Sequence, residues 1–215
     1  MVPAAEAVDP QWFADAAFVG DSVSVMLENY NTSTGRLGSP AFFCSVSLSQ
    51  TNALSYQAGN ARLPEYPKGS GQHPLVADGI ASAARKSSFD AGHNLYRRGV
   101  LTEQVKIWVT LVDQILAKSP EAAIFIQSVT PMTADSPRAD DALNNGTIQA
   151  FNERMRQICQ EKQWYFVNVA EAVSDENGFL RSEFSGDRAM GIHFNYDGAA
   201  AWADYLLTHV PQALK

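Results

Sequence analysis

The chain has 215 residues, 46% of them hydrophobic, which suffices for one sizeable core and is too short for two ordinary domains with a linker. Its net charge of −7, with no cluster of Lys or Arg, excludes nucleic acid and anionic membrane surfaces as expected partners. No apolar run approaches the roughly 20 residues of a membrane span, and two cysteines without a CxxC pattern exclude a disulfide scaffold.

Residues 1–215 therefore read as a single domain. No basic, apolar leader opens the chain, and the first seven residues equally fit a boundary left by a removed export signal or anchor. The location stays open between extracytoplasmic and cytoplasmic.

The first predicted element is a buried strand over 16–19, from Ala16, Ala17, Phe18 and Val19. Gly20 permits a sharp turn, and Val23, Met26 and Leu27 then recur at helical spacing. Ser22 thus falls between the carboxyl end of a strand and the amino end of a helix, the place where open α/β sheets bind ligands. It is a candidate nucleophile, because the free N–H groups of a helix start can hold an oxyanion. The competing reading is structural, since Asp21 and Ser22 are both favoured helix N-caps.

Further along, 41–46 reads as a second strand and 50–57 as a helix, followed by a Gly- and Pro-rich surface loop over 59–74 that can shape a binding site. Residues 86–91 are too polar for a buried central strand. The spacing of Val105, Trp108, Val109, Val112, Ile115 and Leu116 predicts a helix over 101–118, ended by Ser119 and Pro120. A buried strand over 122–127, a helix over 147–162 striped by Ile148, Phe151, Met155, Ile158 and Cys159, and a strand over 165–169 follow. The last helix begins near Tyr196 and carries Trp202, Tyr205 and Leu206 on one side. Strands alternating with helices point to a doubly wound α/β sheet.

Four histidines supply the candidates for a base. His193 sits in a loop, Gly191-Ile192-His193-Phe194-Asn195, just ahead of that last helix, where it can serve a distant serine. His93, beside Asn94, is its rival; His73 reads as loop surface, and His209 as a favourable charge at a helix carboxyl end. No pair of His or Cys has the close spacing of a metal site, and no phosphate-cradling glycine motif occurs, so no cofactor is expected. Trp12, Tyr30 and Tyr56 are candidates for a sugar-binding surface, with core or rim packing as the alternative.

Gly20-Asp21-Ser22-Val23 near the start, paired with Gly-Ile-His-Phe-Asn before a Trp-bearing last helix, resembles the SGNH or GDSL-type hydrolases, a superfamily of esterases and lipases. Residues 124–131, followed by Asn144, Asn145 and the run 148–152, are similar to the fourth-strand region of its bacterial members. The resemblance implies a three-layer α/β/α sandwich of the flavodoxin-like kind with a mostly parallel sheet. It also implies a serine esterase acting on short acyl esters, such as acetyl groups on a carbohydrate or cell-wall glycan. Ser22 would attack the carbonyl and lend its N–H to the oxyanion, and His193 would shuttle the proton. Ser47 matches the place of the glycine that supplies a second oxyanion N–H, and Asn94 the place of the asparagine that supplies a side-chain donor.

One departure stands out. The superfamily usually has Asp three residues before the histidine, and here Met190 occupies that position. Asp187, six residues before His193, can replace it, a backbone carbonyl can orient the ring instead, or turnover is lost and the protein merely binds a glycan. An O-acyltransferase would use the same residues with a sugar hydroxyl in place of water. The sequence carries no signal of oligomeric state.

Overall fold

In the computed structural model, which describes residues 1–46, 48–83, 86–90, 101–140 and 142–214, the first apolar run forms strand β1 (Ala16–Gly20), buried along its whole length. Helix α1 (Ser22–Thr34) follows after one residue. The later strands are β2 (Ala41–Cys44), β3 (Lys86–Asp90), β4 (Ala123–Gln127) and β5 (Tyr165–Val167). All pair in parallel, in the order β2-β1-β3-β4-β5. This is the flavodoxin-like order, in which the chain reverses direction across the sheet beside β1. The crevice at that reversal opens at the carboxyl ends of β1 and β3, and Ser22 is the second residue beyond β1.

The remaining helices are α2 (Gln50–Ser55), α3 (Val76–Ala83), α4 (Leu101–Lys118), α5 (Asn145–Lys162), α6 (Ala170–Val173) and α7 (Tyr196–Thr208). Helices α1 and α7 pack together, with α6 against α7, while α3, α4 and α5 pack in succession. The result is a three-layer α/β/α sandwich whose sheet is covered on both faces, as a parallel sheet requires.

The polar segment read as unfit for a central strand is the central strand: β3 pairs with β1 on one side and β4 on the other. Lys86 resolves the conflict at the strand's amino end. Its ammonium pairs with the Asp15 carboxylate, donates to the Trp12 carbonyl at 2.8 Å and lies 4.2 Å from the centre of the Trp12 ring. The half-buried lysine thus keeps its charge satisfied by Asp15 and the Trp12 carbonyl.

Helix α3 had no counterpart in the sequence reading, because it is only eight residues long and carries Gly79, a poor helix former. Packing explains the glycine: a Cβ there would lie 2.3 Å from Cε1 of Phe43, a buried ring on β2. Gly79→Ala would gain about 1 kcal/mol of helix propensity and lose about 1–3 kcal/mol to overpacking. The expected net result is a melting temperature lowered by several degrees. A raised value in a thermal unfolding experiment would contradict this packing.

The 59–74 loop closes on itself through Gly59 N–H to the His73 carbonyl (2.7 Å) and Tyr66 N–H to the Gln72 carbonyl (2.9 Å), with Leu63 buried beneath. Element ends moved by a few residues. Strand β2 stops at Cys44, with one further bond to β1 from the Ser45 N–H to the Gly20 carbonyl at 3.2 Å. Helix α5 starts at Asn145, because Asn144 and Thr147 form a reciprocal capping box.

Candidate active site

The turn after β1 separates two roles that the sequence left merged. Asp21, buried and extended, caps α1 by accepting the Val23 N–H at 2.9 Å. Ser22 becomes the first residue of the helix, and its hydroxyl meets His193 Nε2 at 2.9 Å. The serine stands at the positive end of the helix dipole, where a developing negative charge is favoured.

His193 comes from the other end of the chain on a segment held from both sides. Gly186 N–H donates to the His193 carbonyl at 2.9 Å, and Asn195 N–H donates to the Phe184 carbonyl at 2.9 Å. Phe194 is buried edge-on against Trp202 with 5.7 Å between ring centres. In turn, the Trp202 indole N–H donates to Gln127 Oε1 at the end of β4. Because Phe194 points inward, its neighbour His193 points out, toward Ser22. Asn195 then caps α7 by accepting the Gly198 N–H at 3.0 Å.

Asp187 Oδ2 lies 2.7 Å from His193 Nδ1. A carboxylate only accepts, so Nδ1 carries the proton and Nε2 presents its lone pair to the Ser22 hydroxyl. Ser22, His193 and Asp187 are all half-buried, open enough for a substrate yet partly shielded from water. The arrangement has the connectivity that lets a serine lose its proton to an oriented imidazole. The carboxylate, not a backbone carbonyl, faces the far ring nitrogen.

Ser47, Asn94 and the rival base His93 lie outside the described residues. Of the aromatic residues considered for a sugar surface, Trp12 is misplaced. It precedes β1, at the opposite end of the sheet from Ser22, packs edge-on against Phe13 and Phe125, and donates its indole N–H to the Leu214 carbonyl. Tyr30 lies eight residues beyond Ser22 on α1, about 12 Å away at the helical rise, where it packs against Tyr196. Tyr56 ends α2, with its hydroxyl accepting from Arg62.

His73 is tied to the Leu63 carbonyl at 2.7 Å, and His209 stacks on Tyr205. Burial pushes the Cys159 thiol up to about 12, which makes it a poor nucleophile at neutral pH. A cleft of about 460 Å³ opens between α5 and the segment after β5, lined by Asn145, Asn152, Asn168 and Glu171 among others, and none of the three clustered residues borders it. Its asparagines already bond within the protein: Asn152 holds both the N–H and the carbonyl of Val129, and Asn168 donates to Glu171. Among the described residues no helix is long and apolar enough to cross a membrane.

What the sequence reading missed is the support behind the cluster. Gly191 has φ +66°, and a Cβ on it would sit 2.3 Å from Thr133 Oγ1 and 2.9 Å from Ser136 Cβ. The glycine two residues before His193 was the available signal. Nothing local pointed to Thr133 or Ser136.

Solved structures share the fold. An acylhydrolase-type protein from Bacteroides fragilis has a TM-score of 0.67 at 15% identity, covering 100% of this chain and 92% of that one. An acetyl xylan esterase has a TM-score of 0.61 at 12% identity, covering 91% and 98%. A carbohydrate esterase of family 3 from Talaromyces cellulolyticus has a TM-score of 0.59 at 12% identity, covering 89% and 93%. At these identities the likeness speaks for the fold alone. No curated protein matches the sequence. The GDSL-like Lipase/Acylhydrolase family matches residues 53–201, a stretch that includes Asp187 and His193 and begins downstream of Ser22. That match covers more than half of the chain, and the chain accordingly belongs to the GDSL-like lipase/acylhydrolase family of carboxylic ester hydrolases.

Proposed function

We propose that residues 1–215 form one catalytic domain that hydrolyses short acyl esters on a carbohydrate through an acyl-Ser22 intermediate. The observation that carries this reading is the hydrogen-bonded line from Ser22 Oγ to His193 Nε2 (2.9 Å) and from His193 Nδ1 to Asp187 Oδ2 (2.7 Å). It joins a strand-to-helix turn near the start of the chain to a loop near its end. An N-cap serine has no need of such a partner, and Asp21 already fills that role.

In the proposed reaction Ser22 Oγ attacks the ester carbonyl carbon while its proton passes to His193 Nε2. The carbonyl oxygen takes up the electron pair and accepts a hydrogen bond from the Ser22 backbone N–H at the helix start. Collapse of the tetrahedral adduct breaks the bond to the alcohol, which leaves with the proton from Nε2. Water then attacks the acyl-serine, gives a proton to Nε2, and releases the carboxylic acid as that proton returns to Ser22. Asp187 holds the Nδ1–H tautomer throughout and stabilises the imidazolium.

The carbohydrate part of the proposal is supported by the fold shared with an acetyl xylan esterase and a family 3 carbohydrate esterase. A substrate panel tests it. An aryl acetate should be cleaved at least tenfold faster than the aryl octanoate, and an acetylated xylo-oligosaccharide should release acetate. Preference for the octanoate would contradict the short-acyl reading. Acyl transfer to an added sugar exceeding release of free acid would make the protein a transferase.

A further inference from the structure

We infer that Ser136, in the segment after β4, is a positioning residue for the Asp187–His193 pair; the inference rests on reading that pair as part of the catalytic machinery. The problem it solves is spacing. With the carboxylate six residues before the histidine, the chain between them must fold back so that Asp187 returns to the ring.

It does so through a single turn. Gly191 N–H donates to the Asp187 carbonyl at 2.6 Å, and Met190 N–H donates to Asp187 Oδ1 at 3.1 Å. The second bond occupies one carboxylate oxygen and leaves Oδ2 to face His193. A lone helical turn is unstable in water, because fixing its dihedrals outweighs the one bond gained. Something outside the turn must hold it.

The 133–136 segment does this. The Ser136 hydroxyl donates to the Met190 carbonyl, and Thr133 N–H donates to the Gly191 carbonyl at 2.9 Å. The Met190 carbonyl and the Gly191 N–H belong to the same peptide plane. That plane is therefore fixed at both ends, by Ser136 on one side and by Asp187 on the other. The absence of a Cβ on Gly191 lets the two segments touch.

The holding segment is itself anchored. Asn145, the first residue of α5, accepts the Met132 N–H at 2.8 Å and donates to the Met132 carbonyl at 3.0 Å. That same carbonyl also accepts the Leu180 N–H at 3.0 Å. Met132 is fully buried and Ser136 nearly so, its hydroxyl also accepting the Arg138 N–H at 3.3 Å. The anchored 132–136 segment thus reaches the turn that carries Asp187 through the Ser136 hydroxyl and the Thr133 N–H.

The test is a double-mutant cycle on aryl acetate hydrolysis. Ser136→Ala should lower kcat roughly 10- to 100-fold with KM little changed, in line with the loss of a group that orients a catalytic ligand. In an Asp187→Asn background the same substitution should have almost no further effect. Ser136→Cys, of similar volume but a weak donor, should fall between and provides a second variant should alanine unfold the segment. Equal losses in both backgrounds, or no loss in either, would overturn the inference. A substrate-free readout separates this from the esterase proposal. The His193 Nδ1–H proton resonance should shift or broaden in Ser136→Ala whether or not the protein turns over esters, and an unchanged resonance would overturn the positioning role.

Discussion

Ser22→Ala should lower aryl acetate hydrolysis by on the order of 10⁴- to 10⁶-fold, the scale seen when a serine nucleophile is removed from a working triad, while the melting temperature stays nearly the same. Stability is spared because the helix cap belongs to Asp21, whose carboxylate accepts the Val23 N–H. At the first helical position, serine and alanine differ by only a few tenths of a kcal/mol. The contrasting variant is Asp21→Ala, which should cost about 1 kcal/mol through the lost cap. Steady-state rates and thermal unfolding on the two variants separate the chemical role from the structural one. A folded Ser22→Ala protein that keeps its activity would remove the serine from the mechanism.

Asp187→Asn should reduce kcat by about 10⁴-fold. The amide keeps the shape of the carboxylate, but its NH₂ can face Nδ1 and impose the opposite tautomer. Nε2 would then carry a proton and could no longer accept one from Ser22. The geometry behind this expectation is the 2.7 Å contact between Asp187 Oδ2 and His193 Nδ1. Because the Met190 side chain packs against the core while its backbone N–H bonds Asp187 Oδ1, Met190→Asp should not rescue the loss. A nearly silent Asp187→Asn would mean that the Ser22–His193 dyad works alone.

What could be read from the sequence follows the range of the interactions involved. The turn at Gly20 and Asp21 and the amphipathic stripe of α4 are written in neighbouring residues, and the bounds of that helix coincide with the expected ones. Strand β3 was misjudged because its central place in the sheet is decided by strands far away in the sequence. Its backbone is laddered on both sides, and the one charge described on it is neutralised by Asp15, 71 residues away. Helix α3 escaped notice because its glycine answers to Phe43 on another element.

The same reasoning applies to the candidate site. Ser22 and His193 could be singled out by their local settings, a strand-to-helix turn and a loop before a helix. Asp187 was one option among several, since a separation of six residues does not by itself say how the chain folds back. The bond from Ser136 to the Met190 carbonyl spans 54 residues, and only the folded chain brings them together.

The most direct measurement of the central claim is covalent labelling by a fluorophosphonate, which reacts with a serine only when its hydroxyl is activated. Intact-protein mass spectrometry should show one adduct per chain, and peptide mapping should locate it on Ser22. Labelling should disappear in Ser22→Ala and fall sharply in His193→Ala. A folded protein that takes up no label, or takes it up equally in the absence of Ser22, would contradict the assignment of Ser22 as the nucleophile.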